Sequence, residues 1–211
     1  QVRERGDEAL LDLTERFDKV RPDRIRATRE DIEDAYRRVD ERVVNALKRS
    51  KENVERFHRL QRPADMWTQE ISPGLVLGVK TTPLDRIGIY VPGGRASYPS
   101  TVIMCAVPAR VAGVPHIAMC TPPPVSPLTL VAADIAGVDA VYTVGGAQAI
   151  AAMAYGTRSL DPVQKIVGPG NVYVTMAKML LRDIVEIDSP AGPSEIAVLA
   201  DATADAELIA A

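Results

Sequence analysis

Cysteine and histidine are scarce in this chain of 211 residues, with two of each. Cys105 and Cys120 both sit in apolar surroundings, which points to buried free thiols in a cytosolic protein rather than to a disulfide framework. No Cys-x-x-Cys or His-x-x-x-His spacing occurs, so the residue pattern builds no metal site of its own. His58 lies among Arg56, Arg59 and Arg62 and reads as an exposed histidine at a helix end. A large charge excess is missing too. The formal net charge is −3, which gives no support to nucleic-acid binding. Long apolar runs are interrupted by Pro, Gly or charge, which excludes a membrane-spanning helix. The charged opening Gln1-Val2-Arg3-Glu4 does not have the form of a signal peptide, and the expected location is cytoplasmic. Gln1 is not an initiator methionine, so the natural N-terminus is expected upstream.

What is present is ordinary globular material, 46% apolar, in a length that fits one large α/β domain or two modest ones. Most of the charge, of both signs, falls before Ile71. Leu10, Leu11, Leu13 and Phe17 have helical spacing after Gly6-Asp7. Thr28 reads as the N-cap of a long helix from about Arg29 to Leu60, with Glu30-Asp31 in its first turn. Its stripe is Ile32, Ala35, Tyr36, Val39, Val43, Ala46, Leu47 and Val54. Two segments, 67–71 and 75–80, flank Ser72-Pro73-Gly74 and predict a hairpin with a Pro-Gly turn.

From Ile87 onward strands alternate with helices. Strands are expected at 87–91, 116–120, 140–144, 165–167, 185–187 and 196–200, with helices at 97–112, 128–136, 147–155 and 172–181. That alternation predicts a doubly wound, mostly parallel α/β sheet, with an N-terminal charged helical arm and a small β hairpin. The expected division is 1–86 for arm and hairpin and 87–211 for the α/β core. Four glycine turns fall at the carboxyl ends of strands, at Pro92-Gly94, Gly145-Gly146, Gly168-Gly170 and Gly192, and together they suggest a binding crevice.

The stretch KIVGPGNVYVTMAK, residues 165–178, is the sharpest of these: strand, glycine turn, helix, an arrangement that aims backbone N–H groups at an anion. It falls short of a dinucleotide fingerprint, since Tyr173 stands where a third glycine belongs. Few polar side chains share the rim. Tyr90 is placed to pack on a flat ligand or to serve as a strand-end core tyrosine. Gln148 opens a helix of Ala, Ile and Met, and an unpaired buried amide costs about 1–3 kcal/mol, so it needs a partner. Asn171 either caps its helix or faces a ligand. Ser194 ends a loop, and Asp188 and Glu195 are carboxylates available as bases or as plain surface groups.

The blocks IGIYVPGGRASYPSTVIM, VGGAQAIAAMAYGT, KIVGPGNVYVTMAK and IDSPAGPSEIAVLAD, with VRERGDEALLDLTERFD near the start, closely resemble histidinol dehydrogenase over essentially the whole chain. The resemblance implies an enzyme of histidine biosynthesis. It would oxidise L-histidinol through L-histidinaldehyde to L-histidine, with NAD as acceptor and zinc as metal, in a homodimer. It places the NAD contacts on Tyr90, Gln148 and Asn171 and a substrate contact on Ser194.

The family's zinc-binding glutamine and histidine, in a Gln-Ala-Glu-His stretch, and its Glu-His acid–base pair fall after Ala211. The chain is therefore expected to be the N-terminal half of the enzyme, inactive alone, with catalytic residues and zinc ligands beyond it. His58 and His116 match none of those motifs. The segment between Lys178 and Ile187 is a few residues shorter than is usual in the family. Two other functions stay open at this point: a related zinc-dependent dehydrogenase of another small alcohol, and a non-catalytic nucleotide-binding or oligomerisation fragment.

Overall fold

A computed structural model describes residues 1–93, 97–190, 197–201 and 203–210. The arm holds α1 (Val2–Arg5), α2 (Asp7–Asp18), α3 (Arg29–Arg38) and α4 (Glu41–Gln61), followed by the hairpin β1 (Met66–Ser72) and β2 (Leu75–Lys80). The core then runs β3 (Arg86–Tyr90), α5 (Pro99–Ala112), β4 (His116–Cys120), α6 (Pro127–Ala136), β5 (Ala140–Tyr142), α7 (Gly146–Tyr155), β6 (Lys165–Val167), α8 (Val172–Leu181) and β7 (Glu186–Ile187). The short α9 (Ala206–Ala210) follows.

The core strands form one parallel sheet in the order β5-β4-β3-β6-β7. The chain steps outward from β3 through β4 to β5, then returns across the sheet to β6 on the other side of β3. Helices α5 and α6 therefore cover one face, and α7 and α8 the other. The alternation of strand side chains sorts the core accordingly. Ile87, Ile89, Val91, Ile117 and Met119 pack under α5 and α6. Tyr90, Cys120, Tyr142 and Ile166 pack under α7 and α8. The arm completes both layers. Ala35 of α3 and Val44 and Leu47 of α4 join the first cluster, and Val2, Ala9 and Leu10 of α1 and α2 join the second. An arm segment also pairs with the edge strand β5, where Ala27 N donates to Val141 O at 2.9 Å and Thr143 N to Ile25 O at 2.7 Å. That pairing covers one open sheet edge.

Two expectations fail. The single helix from Arg29 to Leu60 is broken. Val39 is extended, and Asp40 starts α4 as N-cap, its side chain accepting from Arg42 N at 2.7 Å. An Asp followed by Glu41 is a helix start signal, and it overrode a stripe that ran on in register. The expected strand at 196–200 does not form over 197–200, which carries no strand and is exposed, Leu199 fully so. An apolar run needs a neighbouring strand and a covered face before it becomes one, and β7 offers only two residues. Ile196 lies outside the described residues.

The helix boundaries have local causes. A capping box starts α3: Thr28 N donates to Asp31 Oδ2 at 2.7 Å while Asp31 N donates back to Thr28 Oγ1. Pro at the first turn opens α5 and α6, and Gly113 and Gly137 close them in the left-handed region.

Candidate functional site

Strand β3 is the centre of the sheet, and the connections leave it in opposite directions, so the switch point lies outside the carboxyl ends of β3 and β6. Ligand crevices of doubly wound sheets form there. Tyr90 ends β3 at this point. The residue is 3% exposed. Its hydroxyl accepts the Gly146 N–H at 3.0 Å, and burial pushes its pKa up. The sequence left open whether this residue meets a ligand or the core. The ring lies in the core, and the hydroxyl reaches the rim at the start of α7.

Helix α7 begins at Gly145-Gly146; its N-cap Gly145 has no side chain to cap it, and the Tyr90 hydroxyl takes the Gly146 N–H. Gln148, in its first turn, is 6% exposed. Its amide oxygen lies over Gly146, 2.7 Å from where a Cβ would stand. The other side of Gln148 faces a cleft against the arm, lined by Val2, Leu13 and Phe17.

Next to Tyr90 comes the turn from Gly168 to Asn171. Gly168 has φ +108°, and a Cβ there would collide with the Tyr90 carbonyl oxygen. Only glycine permits β3 and the turn to approach so closely. Asn171 caps α8: its Oδ1 accepts from Tyr173 N at 3.0 Å and Val174 N at 3.1 Å. The helix N-terminus is thus partly satisfied by its own chain, and the Asn171 Nδ2 donors remain free of this cap. Tyr90, Gln148 and Asn171 therefore stand on three adjoining pieces of one switch point. Ser194, Glu195 and Gly192 lie outside the described residues.

Sequence reasoning missed a pair beneath the turn. Lys178 of α8, 3% exposed, donates to Gly168 O at 2.5 Å and to Asp188 Oδ1 at 2.7 Å. Asp188 Oδ2 accepts Gly168 N at 2.7 Å. Asp188, read from sequence as a candidate base or surface acid, is committed to these bonds. The available signal was Lys178 itself, four residues after the buried Val174 on the same helix face. A second omission is on α2, where Thr14 Oγ1 and Asp18 Oδ2 are buried with no hydrogen-bond partner among the described residues. Asp18 bears electrostatically on Tyr90, and burial pushes its own pKa up.

The thiols carry no chemistry here. Burial pushes Cys105 up to about 11, with Asp188 adding to the rise, and raises Cys120 further. His116 is exposed at the amino end of β4, and His58 packs edge-on against Phe57 on α4, both away from the rim. Among the described residues no three His, Cys, Asp or Glu side chains gather to hold a metal ion. No helix among them is long and apolar enough to cross a membrane.

The fold defines a doubly wound α/β protein whose parallel sheet has its switch point between β3 and β6. The histidinol dehydrogenase family model matches residues 1–211. The chain is 53% identical to the histidinol dehydrogenase of Methanosarcina mazei, over 99% of this chain and 49% of that protein. It is 52% identical to that of Methanothermobacter thermautotrophicus, over 99% of this chain and 50% of the relative. The crystal structure of histidinol dehydrogenase from Elizabethkingia anophelis superposes with a TM-score of 0.91 at 39% identity, over 99% of this chain and 49% of the other. The chain belongs to the histidinol dehydrogenase family, a family of oxidoreductases of histidine biosynthesis. It spans about half the length of these relatives.

Proposed function

We propose that this chain supplies the NAD-binding half of an enzyme that oxidises L-histidinol, through L-histidinaldehyde, to L-histidine. The observation that carries the reading is the convergence of the Tyr90 hydroxyl, the first turn of α7 and the Gly168–Asn171 turn on one switch point. NAD, when bound, accepts the hydride. The chain's own residues bind and orient. Beyond the Gly146 N–H, which the Tyr90 hydroxyl takes, the first turn of α7 offers N–H groups to a pyrophosphate. Asn171 offers its Nδ2 donors, and Gln148 an amide at the same helix start. The buried Asp18 Oδ2, lacking a partner among the described residues, suits a ribose hydroxyl as donor. These groups fit a dinucleotide. Ser194 is proposed to touch the substrate.

Zinc enters the reading only through the family. The described residues do not fit it, and no step is derived through it. A homodimer is part of the proposal as well. The hairpin register sets Trp67 opposite Val79 and Gln69 opposite Leu77, so Trp67, Leu77 and Val79 share one face. These three side chains are about half exposed, and nothing in the described chain covers that face.

The test is NADH formation from L-histidinol and NAD by the full-length protein. The proposal predicts two NADH per L-histidine formed, and loss of most activity in Asn171→Asp. Turnover with an unrelated alcohol but not L-histidinol would defeat it.

A further inference from the structure

We propose that Lys178 and Asp188 are positioning residues for the cofactor turn, an inference that rests on the NAD reading above. The pair closes a ring around one glycine. Gly168 N donates to Asp188 Oδ2 at 2.7 Å, Asp188 Oδ1 accepts from Lys178 Nζ at 2.7 Å, and the same Nζ donates to Gly168 O at 2.5 Å. Both backbone polar groups of Gly168 are thus held by a single ion pair. The ammonium belongs to α8, the helix that Asn171 opens, and the carboxylate follows β7 directly. Asp188 N also continues the sheet ladder, donating to Ile166 O at 3.2 Å. Turn, helix and last strand are therefore locked to one another behind Asn171.

A purely structural role explains this arrangement poorly. Two apolar side chains would hold α8 against the sheet without the cost of burying the Lys178 ammonium, whose partner Asp188 is still a third exposed. What apolar side chains cannot do is address the N–H and C=O of a glycine at φ +108°. That glycine sits past the end of β6, where a strand ladder no longer fixes the peptide plane. Its orientation sets the direction in which the next residues, Pro169 to Asn171, leave the sheet. Rigid placement of a binding group by the residues behind it is the general requirement for a preorganised site.

Asp188→Asn tests this with the shape preserved. The neutral amide can accept from Lys178 or from Gly168 N–H, not from both in the present geometry. In the full-length protein KM for NAD is expected to rise about tenfold or more, while KM for L-histidinol stays within about twofold. Lys178→Met is expected to do the same, and Lys178→Arg, which keeps charge and donors, to recover part of the loss. If Lys178→Met does not fold, Asp188→Asn decides the matter. Variants that lose thermal stability but keep the wild-type KM for NAD would overturn the positioning role and leave the cofactor reading intact. A wild-type protein that does not use NAD would overturn both.

Discussion

The Tyr90 hydroxyl accepts the Gly146 N–H at 3.0 Å, so one hydrogen bond ties the end of the central strand to the first residue of α7. Tyr90→Phe keeps the ring in its core position and leaves that N–H without its acceptor. The expected cost is about 1–3 kcal/mol in urea unfolding, from a partly buried donor left unpaired. An unchanged midpoint would mean that water replaces the hydroxyl freely.

Gly168→Ala places a methyl group against the Tyr90 carbonyl oxygen at a backbone angle that side chains rarely adopt. The expected loss is about 1–3 kcal/mol from strain and displacement of the turn. Unfolding midpoints of the two proteins, measured in parallel, check it. Gly113→Ala, where the nearest atom to a new Cβ is 3.6 Å away, is a control for the positive φ alone.

The sheet was legible in the sequence because its signals are local. The run Ile87 to Val91 ends at a Pro-Gly pair, Pro99 and Pro127 open helices, and Gly113 and Gly137 close them, so β3 to β7 fall close to the expected spans. The break at Asp40 was present in the sequence, but the apolar stripe of α3 and α4 outweighed one cap residue. The 196–200 run failed because strand formation depends on a neighbour that no local pattern reports. At the site, Tyr90, Gln148 and Asn171 were legible as polar residues at strand-to-helix joints. Their division of labour was not. Whether Asn171 Oδ1 is spent on its own helix, and whether Lys178 reaches back ten residues to Gly168, depends on tertiary geometry.

Stability is expected to fall in acid partly through the capping box of α3. The Thr28 backbone N–H is the leading cause that holds the Asp31 carboxyl below the usual carboxylate range, with Arg24 assisting. A folded-state value below the unfolded one means that the stabilisation is complete above the ordinary carboxylate range. It is lost as pH falls through the folded value. Asp31→Asn is expected to cost about 0.5–2 kcal/mol near neutral pH and to flatten this part of the acid limb. Urea midpoints from neutral pH down to the acid range check it; an unchanged acid limb would remove the capping box from the account.

The apolar hairpin face gives an expectation for assembly. The full-length protein is expected to sediment as a dimer, and Trp67→Glu with Leu77→Glu to shift it toward monomer without loss of helix content. A wild-type monomer, or a dimer untouched by the two changes, would count against the hairpin as an interface.

The central claim is that NAD binds at the switch point of this half. Calorimetric titration of NAD into the 211-residue chain and two variants tests it most directly. Asn171→Asp keeps an acceptor to cap α8 and removes the Nδ2 donors; Gln148→Ala removes the amide from the start of α7. The account predicts weak, saturable binding to the wild-type chain and a clear loss in both variants, with circular dichroism unchanged. A well-folded wild-type chain that takes up no NAD at millimolar concentration, or variants that bind as the wild type does, would contradict it.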